Sequence, residues 1–342
     1  MTPAVAVKRS VAWGLLRTGL LSLHRLTRER SRAAILLYHR VNDDADPFFP
    51  ALGVGHFVAQ LEYLARRYRV EPLETVLDWL AEGAVGPGRV AITIDDGYPD
   101  THDVVLPVLA RLGLPATLFL CTAPPETSRP AWTDRARAIL EHARRSPLRL
   151  PDLGLHLITT DSPRSRLAAC VPLLQRLKQA GPATISSTLA RMEQQLDPAP
   201  HRLRVLSWDE VRRISRGPVT LGAHTHNHYL LAHLDPAQLR SEVSTSVDLI
   251  EERVGSRPHA FAYPNGQDGD FDARSIRVFQ DLGLRCALSS RHGMVGPQSD
   301  RWQLPRVYTS GTSLALFATR VGGLGIARGS RVGTTPAQLD VL

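Results

Sequence analysis

The sequence predicts an α/β fold: a barrel of βα units that carries a helical insertion. Three observations predict it. Short apolar runs, each ending in polar or small residues, alternate with helical patterns, as repeated βα units around a parallel sheet do. The segments richest in chemically active side chains each follow directly on one of these runs, at the C-terminal strand ends where α/β barrels assemble their sites. One long stretch between two runs has no strand character and reads as helix.

Taken in order, the strand candidates are residues 34–38, 89–94, 116–120, 218–223, 259–262 and 285–288, each short, apolar and bounded by turn chemistry. A last strand is expected around Arg306, in Leu304-Pro305-Arg306-Val307. Between them, residues 56–68 place Phe57, Leu61 and Leu64 on one helical face, and residues 103–112 and 238–254 show similar spacing. Asp235 before Pro236 reads as an N-cap with proline at the first helical position. Residues 121–206, rich in Arg, Pro, Ser and Leu, offer no strand and read as an insertion in a rim loop, where it can wall a cleft without disturbing the core. The expected organisation is a basic amphipathic segment over 1–32, a barrel over 33–321 with its insertion at about 122–206, and a flexible Gly-, Arg- and Thr-rich tail over 322–342.

The 342 residues, 43% of them hydrophobic and 22% charged, fall in the range of soluble globular proteins. The net charge of +8 is concentrated at the front, where residues 1–32 hold seven Lys and Arg against Glu29 alone. The rest of the chain is close to neutral and lacks the broad cationic field that nucleic-acid binding needs. Three dispersed cysteines argue against a disulfide framework and a CxxC zinc site, and fit a reducing compartment. Arg17 and Arg25 interrupt the apolar run near the start, which argues against a signal peptide or a spanning helix. Trp13, Leu16, Leu20 and Leu23 recur at helical spacing, which fits either an interfacial helix on anionic lipid or a helix packed on its own barrel.

The most informative segment is Thr93-Ile94-Asp95-Asp96-Gly97-Tyr98, two adjacent carboxylates at the end of an apolar strand. Two like charges near low-dielectric walls repel, and a bound cation relieves this when one carboxylate ligates it and the other stays free as a base. An Asp-Gly turn that merely ends a strand is the competing reading. The second segment is His224-Thr225-His226-Asn227-His228. Histidines four apart on a helical turn aim at one ion, whereas His226 points elsewhere. With one carboxylate they make a three-ligand site of the catalytic-zinc kind; a surface turn of hydrogen-bonding histidines is the alternative. In Phe261-Ala262-Tyr263-Pro264-Asn265-Gly266 a rigid turn offers a backbone N–H to an oxyanion, or is a plain loop with a packed tyrosine. His39 closes the first strand, a position more often structural than catalytic. Because all four segments lie at C-terminal strand ends, Asp95, Asp96, His224, His228, His39 and Tyr263 are expected to meet in space.

At these residues, from about position 34 to about 307, the chain resembles the polysaccharide deacetylases of carbohydrate esterase family 4. The family's TFDDG motif appears as Thr93-Ile94-Asp95-Asp96-Gly97, with isoleucine for the usual phenylalanine, and its two-histidine motif is matched by 224–228. The resemblance implies a distorted TIM-like (β/α)7 barrel, Asp95 as catalytic base, and Asp96, His224 and His228 around a divalent metal, usually zinc. In the family's third motif an arginine commonly contacts the base, but Ala262 stands there in this chain. Arg306 is the candidate to orient Asp95 in its place. The late motif with the acid histidine is also missing, and the order of motifs resembles the circularly permuted branch found among exopolysaccharide and poly-N-acetylglucosamine deacetylases. On that resemblance the Tyr-His pair of the first strand makes His39 the acid, with His292 as fallback. Tyr98, Tyr263, Asn265 and Arg306 are expected around the substrate and its oxyanion.

The expected activity is metal-dependent removal of N-acetyl groups from amino sugars of an oligo- or polysaccharide. A non-catalytic glycan-binding or membrane-associated assembly protein on the same barrel is the alternative, prompted by the altered third motif. An amidohydrolase-type barrel is disfavoured because no HxH follows the first strand. The expected location is cytoplasmic, peripheral at the inner membrane face, with residues 1–32 as tether and a lipid-linked oligosaccharide as one candidate substrate.

Overall fold

The computed structural model describes residues 32–83, 88–309 and 313–323. In chain order the regular elements are β1 (Ala33–Tyr38), α1 (Val54–Arg67), β2 (Arg69–Val70), α2 (Leu73–Glu82), β3 (Arg89–Asp96), α3 (Leu106–Leu112), β4 (Ala116–Leu120), α4 (Ala123–Thr127), α5 (Trp132–Glu141), β5 (Leu148–Leu150), β6 (Leu155–Ile158), α6 (Pro163–Lys178), α7 (Pro182–Leu196), α8 (Trp208–Ser215), β7 (Val219–Ala223), α9 (Pro236–Val254), β8 (Ala260–Ala262), α10 (Ala273–Asp281), β9 (Cys286–His292), β10 (Leu304–Tyr308) and α11 (Leu314–Val321). Seven parallel strands close a barrel in the order β1, β10, β9, β8, β7, β4, β3, with β3 pairing back onto β1. This is the TIM-like (β/α)7 architecture expected from the sequence. The two-residue β2 adds to the start of β3.

Strands of such a barrel are covered on both faces, so they read as continuous apolar runs. All six residues of β1 and six of the eight in β3 are buried. Alternation sends Ile35, Ala91, Phe119, Ala262, Leu288 and Leu304 into one cluster, shared with Leu73, Val76 and Leu77 of α2. The opposite faces, with Leu36, Ile92 and Leu118, pack on the surrounding helices, including Phe57, Leu61 and Leu64 of α1. Each fully buried side chain of this size contributes about 1.5–3 kcal/mol. Asp235 caps α9 by accepting from the Gln238 N–H at 2.8 Å, with Pro236 in the first turn.

Two local readings of the sequence differ from the structure. The helix expected over 103–112 starts as a wide turn at Thr101–Val105 before α3. Pro107 has no N–H to give the carbonyl four residues back, and the ladder shifts by one, with the Leu106 N–H reaching the Thr101 carbonyl. The insertion is not purely helical either, because β5 and β6 form a small antiparallel hairpin. Its strands are too short for an alternation to stand out from the surrounding Arg and Pro.

The insertion lies between β4 and β7, which are neighbours in the barrel. It has its own core, where Ile139 and Leu140 of α5, Leu173 and Leu177 of α6 and Leu189 and Met192 of α7 meet Phe48 and Phe49 from the loop after β1. That packing fixes the insertion over one side of the barrel mouth. Among the described residues no helix is long and apolar enough to cross a membrane. The amphipathic segment expected over 1–32 lies, apart from Arg32, outside the described residues, as does the tail beyond Gly323.

Candidate metal and catalytic centre

Alternation along β3 places Asp95 on the same side as Ala91 and Thr93, inside the barrel, where it is 2% exposed. Arg306 of β10, fully buried, meets it with a bidentate fork: Nη1 donates to Oδ1 at 2.7 Å and Nη2 to Oδ2 at 2.7 Å. The guanidinium is itself held, with Nε donating to the Ser289 carbonyl at 2.9 Å and Nη1 lying 3.3 Å from Thr93 Oγ1. Burial pushes the Asp95 carboxyl up, but the Arg306 charge and hydrogen bonds outweigh it and leave it below its ordinary value. Asp95 is thus ionised and oriented.

Asp96 would face the helical layer if β3 continued. Instead its φ of +75° and that of Gly97, +85°, swing the chain over the barrel mouth. Gly97 is required twice over, by its left-handed backbone and because a Cβ there would lie 2.4 Å from Leu120 Cδ1. The Asp96 carbonyl accepts from the Cys121 N–H at 3.2 Å, tying this turn to the end of β4.

The histidine segment after β7 is not a helical turn, contrary to the spacing argument. Thr225 and His228 both have left-handed φ, +62° and +63°, and the loop is pinned from outside. The Glu242 carboxylate of α9 accepts from the Asn227 N–H at 2.8 Å and its Nδ2 at 2.6 Å, and Trp132 Nε1 donates to the His228 carbonyl at 3.0 Å. This irregular loop brings the His224 and His228 rings to 5.0 Å. His226 turns away toward Thr122, 2.9 Å from its hydroxyl.

Asp96 Oδ1 lies 3.1 Å from His224 Nε2 and 3.2 Å from His228 Nε2. Although both nitrogens are close, Asp96 Oδ1 is buried and has no hydrogen-bond partner of acceptable geometry, and neither has His228 Nδ1. Two ligands about 2.0–2.1 Å from one ion at tetrahedral angles stand roughly 3.3 Å apart, so both Asp96–histidine distances have the spacing of ligands to a common divalent cation, and all three atoms lie within 4.8 Å of one another. His224 Nδ1 lies 2.7 Å from the Ala262 carbonyl and donates to it, which leaves the Nε2 lone pair aimed at Asp96. These residues fit a metal. Another His-Asp-Glu grouping, His102, Asp103 and Glu210, is bridged by Arg204, which bonds both carboxylates, and is an ion-pair network.

Tyr38 pairs with Ile94 in the β1–β3 register, so His39 follows level with Asp95. Burial pushes the His39 imidazole down, while the charges of Asp96 and Asp95 pull it up. His292 sits elsewhere: its ring stacks on Tyr308 at 5.4 Å, and burial with the Arg320 charge lowers it to about 4.

Tyr263 does not join the group, contrary to expectation. Its ring stacks on Phe271 at 3.7 Å, its hydroxyl donates to the Trp302 carbonyl at 2.8 Å, and its N–H is spent on the Leu288 carbonyl at 3.0 Å. Strand alternation turns it outward, away from the lumen. Asn265, left-handed at φ +59°, accepts from Lys178 Nζ of α6 at 2.7 Å and donates to Asp270 at 2.6 Å. Its own N–H makes no hydrogen bond among the described residues. The Tyr98 hydroxyl donates to Asp134 of α5 at 3.2 Å. A cavity of about 400 Å³ opens from Asp96 and His228 past Tyr98, Arg40 and Asp134.

Sequence reasoning missed Lys178, Asp134, Glu242 and Trp132. Three of them sit on insertion helices where a charge or an aromatic looks like an ordinary face residue, and no local signal points them toward a distant loop.

The sequence matches the family model described as polysaccharide deacetylase over residues 82–145 and 155–287. A search of curated proteins returns no match. Among solved structures the fold is similar to the Streptococcus pyogenes deacetylase PplD in complex with acetate, with TM-score 0.54, 16% identity, and coverage of 81% of this chain and 92% of that one. It is similar to IcaB from Ammonifex degensii, with TM-score 0.54, 16% identity, and coverage of 85% and 97%. It is also similar to BC0361, a polysaccharide deacetylase from Bacillus cereus, with TM-score 0.53, 15% identity, and coverage of 85% and 69%.

Proposed function

The chain belongs to the polysaccharide deacetylase family and is a deacetylating hydrolase, and from that premise we propose that it hydrolyses the N-acetyl groups of amino sugars in an oligo- or polysaccharide of the exopolysaccharide type. The observation that carries this reading is the convergence of Asp96 Oδ1, His224 Nε2 and His228 Nε2 within 3.2 Å of the shared oxygen, beside an Asp95 locked by Arg306.

In this proposal Asp96, His224 and His228 hold a divalent ion, which we assign as zinc. When bound, the ion supplies Lewis-acid polarisation of the acetamide carbonyl and acidifies water. Asp95, kept ionised by Arg306, takes the proton of the attacking water. The unspent N–H of Asn265 is available to the oxyanion that develops, and Lys178 steadies the loop that presents it. His39 gives a proton to the departing amine, so that acetate and a free amino sugar result. The arginine absent from the third motif is replaced from β10, which is separated from β3 by β1 alone and from which Arg306 reaches the Asp95 carboxylate. This removes the reason to favour a non-catalytic barrel.

The test is acetate release from an N-acetylated chitooligosaccharide. Asp95→Asn is expected to lose nearly all turnover while keeping its metal, and full activity in that variant would remove Asp95 from its role. The +6 charge of residues 1–32 supports a further part of the proposal, that the glycan is met at a membrane surface, lipid-linked, on the cytoplasmic side. Deleting residues 1–32 should abolish co-sedimentation with anionic vesicles, and unchanged co-sedimentation would contradict it.

A further inference from the structure

We propose that Asp134 and Arg40 form a subsite beside the metal centre that grips the hydroxyls of a neutral sugar residue, making the insertion the part of the chain that selects a glycan over a small acetylated molecule. The inference rests on the deacetylase reading and extends it to substrate selection.

Asp134 stands in the first turn of α5 and is 7% exposed. Its Oδ1 accepts from the Tyr98 hydroxyl, and among the described residues neither oxygen makes a salt bridge. Burying a charge without an ion-pair partner is costly, and the cost shows in a carboxyl pushed upward by burial, partly offset by the charges of Arg40 and Arg137. A helix-capping role does not account for it, since α5 has no side-chain cap bond. Favourable placement near the helix N-terminus does not require the carboxylate to line a cavity.

Arg40 supplies the complementary half. Its guanidinium lies 4.5 Å from the Tyr98 ring and 5.1 Å from the Phe49 ring, so its plane is held by two aromatic side chains. Its Nε is buried without a hydrogen-bond partner, and the nearest carboxylate oxygen, of Asp100, is 3.9 Å away. Both residues line the 400 Å³ cavity that also contains Asp96 and His228. A cavity of this size holds a sugar residue with room for part of the next.

The pairing of an acceptor-only carboxylate with a donor-only guanidinium selects by chemistry. A phosphate placed there would meet Asp134, and an ammonium would meet Arg40. Vicinal hydroxyls satisfy both, donating to the carboxylate and accepting from the guanidinium. Asp134 comes from the insertion and Arg40 from the loop after β1, and Phe49 also belongs to the insertion's core, so the insertion and the barrel mouth shape the subsite together.

The experiment compares kcat/KM for tri-N-acetylchitotriose and for p-nitrophenyl acetate in the full chain and in Asp134→Asn and Arg40→Gln. The expected result is a fall of tenfold or more in the trimer-to-ester ratio for each variant, carried mainly by KM for the trimer. Arg40→Gln lies on a separate element and keeps the test decisive should Asp134→Asn fold poorly. If the parent chain deacetylates the trimer and the ratio stays within twofold in the variants, the subsite alone is overturned. If the parent chain hydrolyses the ester and releases no acetate from the trimer, the deacetylase reading and the subsite fall together.

Discussion

Replacing Arg306 isolates the contact on which the proposed base depends. Arg306→Met leaves Asp95 in the barrel lumen, 2% exposed, without its ion-pair partner. Two charge-assisted hydrogen bonds of 2.7 Å are lost at once. Breaking a buried pair on one side costs about 3–5 kcal/mol, and with both groups almost fully buried no allowance for solvent applies. Against a typical total of about 5–15 kcal/mol the variant should fold with a clearly lower midpoint in urea. Burial would then be opposed only by the weaker pull of His224 and His39, so the Asp95 carboxyl should rise and the acidic limb of the activity profile should move to higher pH. In the parent chain the sign is the reverse: the carboxyl is depressed, so the pair's contribution is complete above the ordinary carboxylate value of about 4 and is lost as pH falls through the lower folded value. Arg306→Lys keeps a charge but not the fork. Losing one such bond, about 1.5–3 kcal/mol, should lower kcat/KM roughly 10- to 100-fold. Parent-like kcat and an unmoved acidic limb in Arg306→Met would show that Asp95 does not depend on this ion pair.

Three other perturbations test the supports of the centre. Gly97→Ala should destabilise by roughly 2–4 kcal/mol, from left-handed strain plus the clash with Leu120, and a double-mutant cycle with Leu120→Ala should show favourable coupling in denaturation. Lys178→Met removes one of the two side-chain tethers of Asn265 and leaves the Asp270 bond; at about 1 kcal/mol for a half-buried bond, kcat should fall about fivefold with KM little changed. His292, lowered to about 4, binds a proton more readily unfolded than folded, so it draws stability down as pH falls from about 6.5 toward 4. For a half-buried ring the effect is of order 1–2 kcal/mol, and His292→Gln should flatten that part of the stability curve without altering the pH profile of turnover.

Much of the fold was legible because parallel strands buried on both faces leave an unmistakable mark. The runs ending at Tyr38, Leu120, Ala223 and Ala262 stop where the strands stop. The chemistry was legible for a related reason: polar residues directly after such runs fall at the barrel mouth, which is how Asp95, Asp96, His224 and His228 were singled out. The way His224 and His228 approach was not, because spacing alone cannot distinguish a helical turn from a loop with left-handed Thr225 and His228. Tyr263 was misplaced for want of face information, since a strand of three residues is too short to show which side chains point inward. Arg306 was legible as the candidate to orient Asp95 from its place in the last strand, and β10 lying beside β1 aims its fork at that carboxylate. Asp134 and Lys178 reach the mouth through the packing of the insertion, a tertiary arrangement with no signature in local sequence.

On the proposed mechanism Asp96, His224 and His228 hold one ion that the reaction requires. Its most direct measurement is metal content per chain, read with acetate release before chelation, after chelation and after divalent metal is restored. One ion per parent chain is expected, with activity lost and regained as it leaves and returns, and little or no bound metal in His224→Ala or Asp96→Asn. Undiminished acetate release from metal-free protein would contradict it.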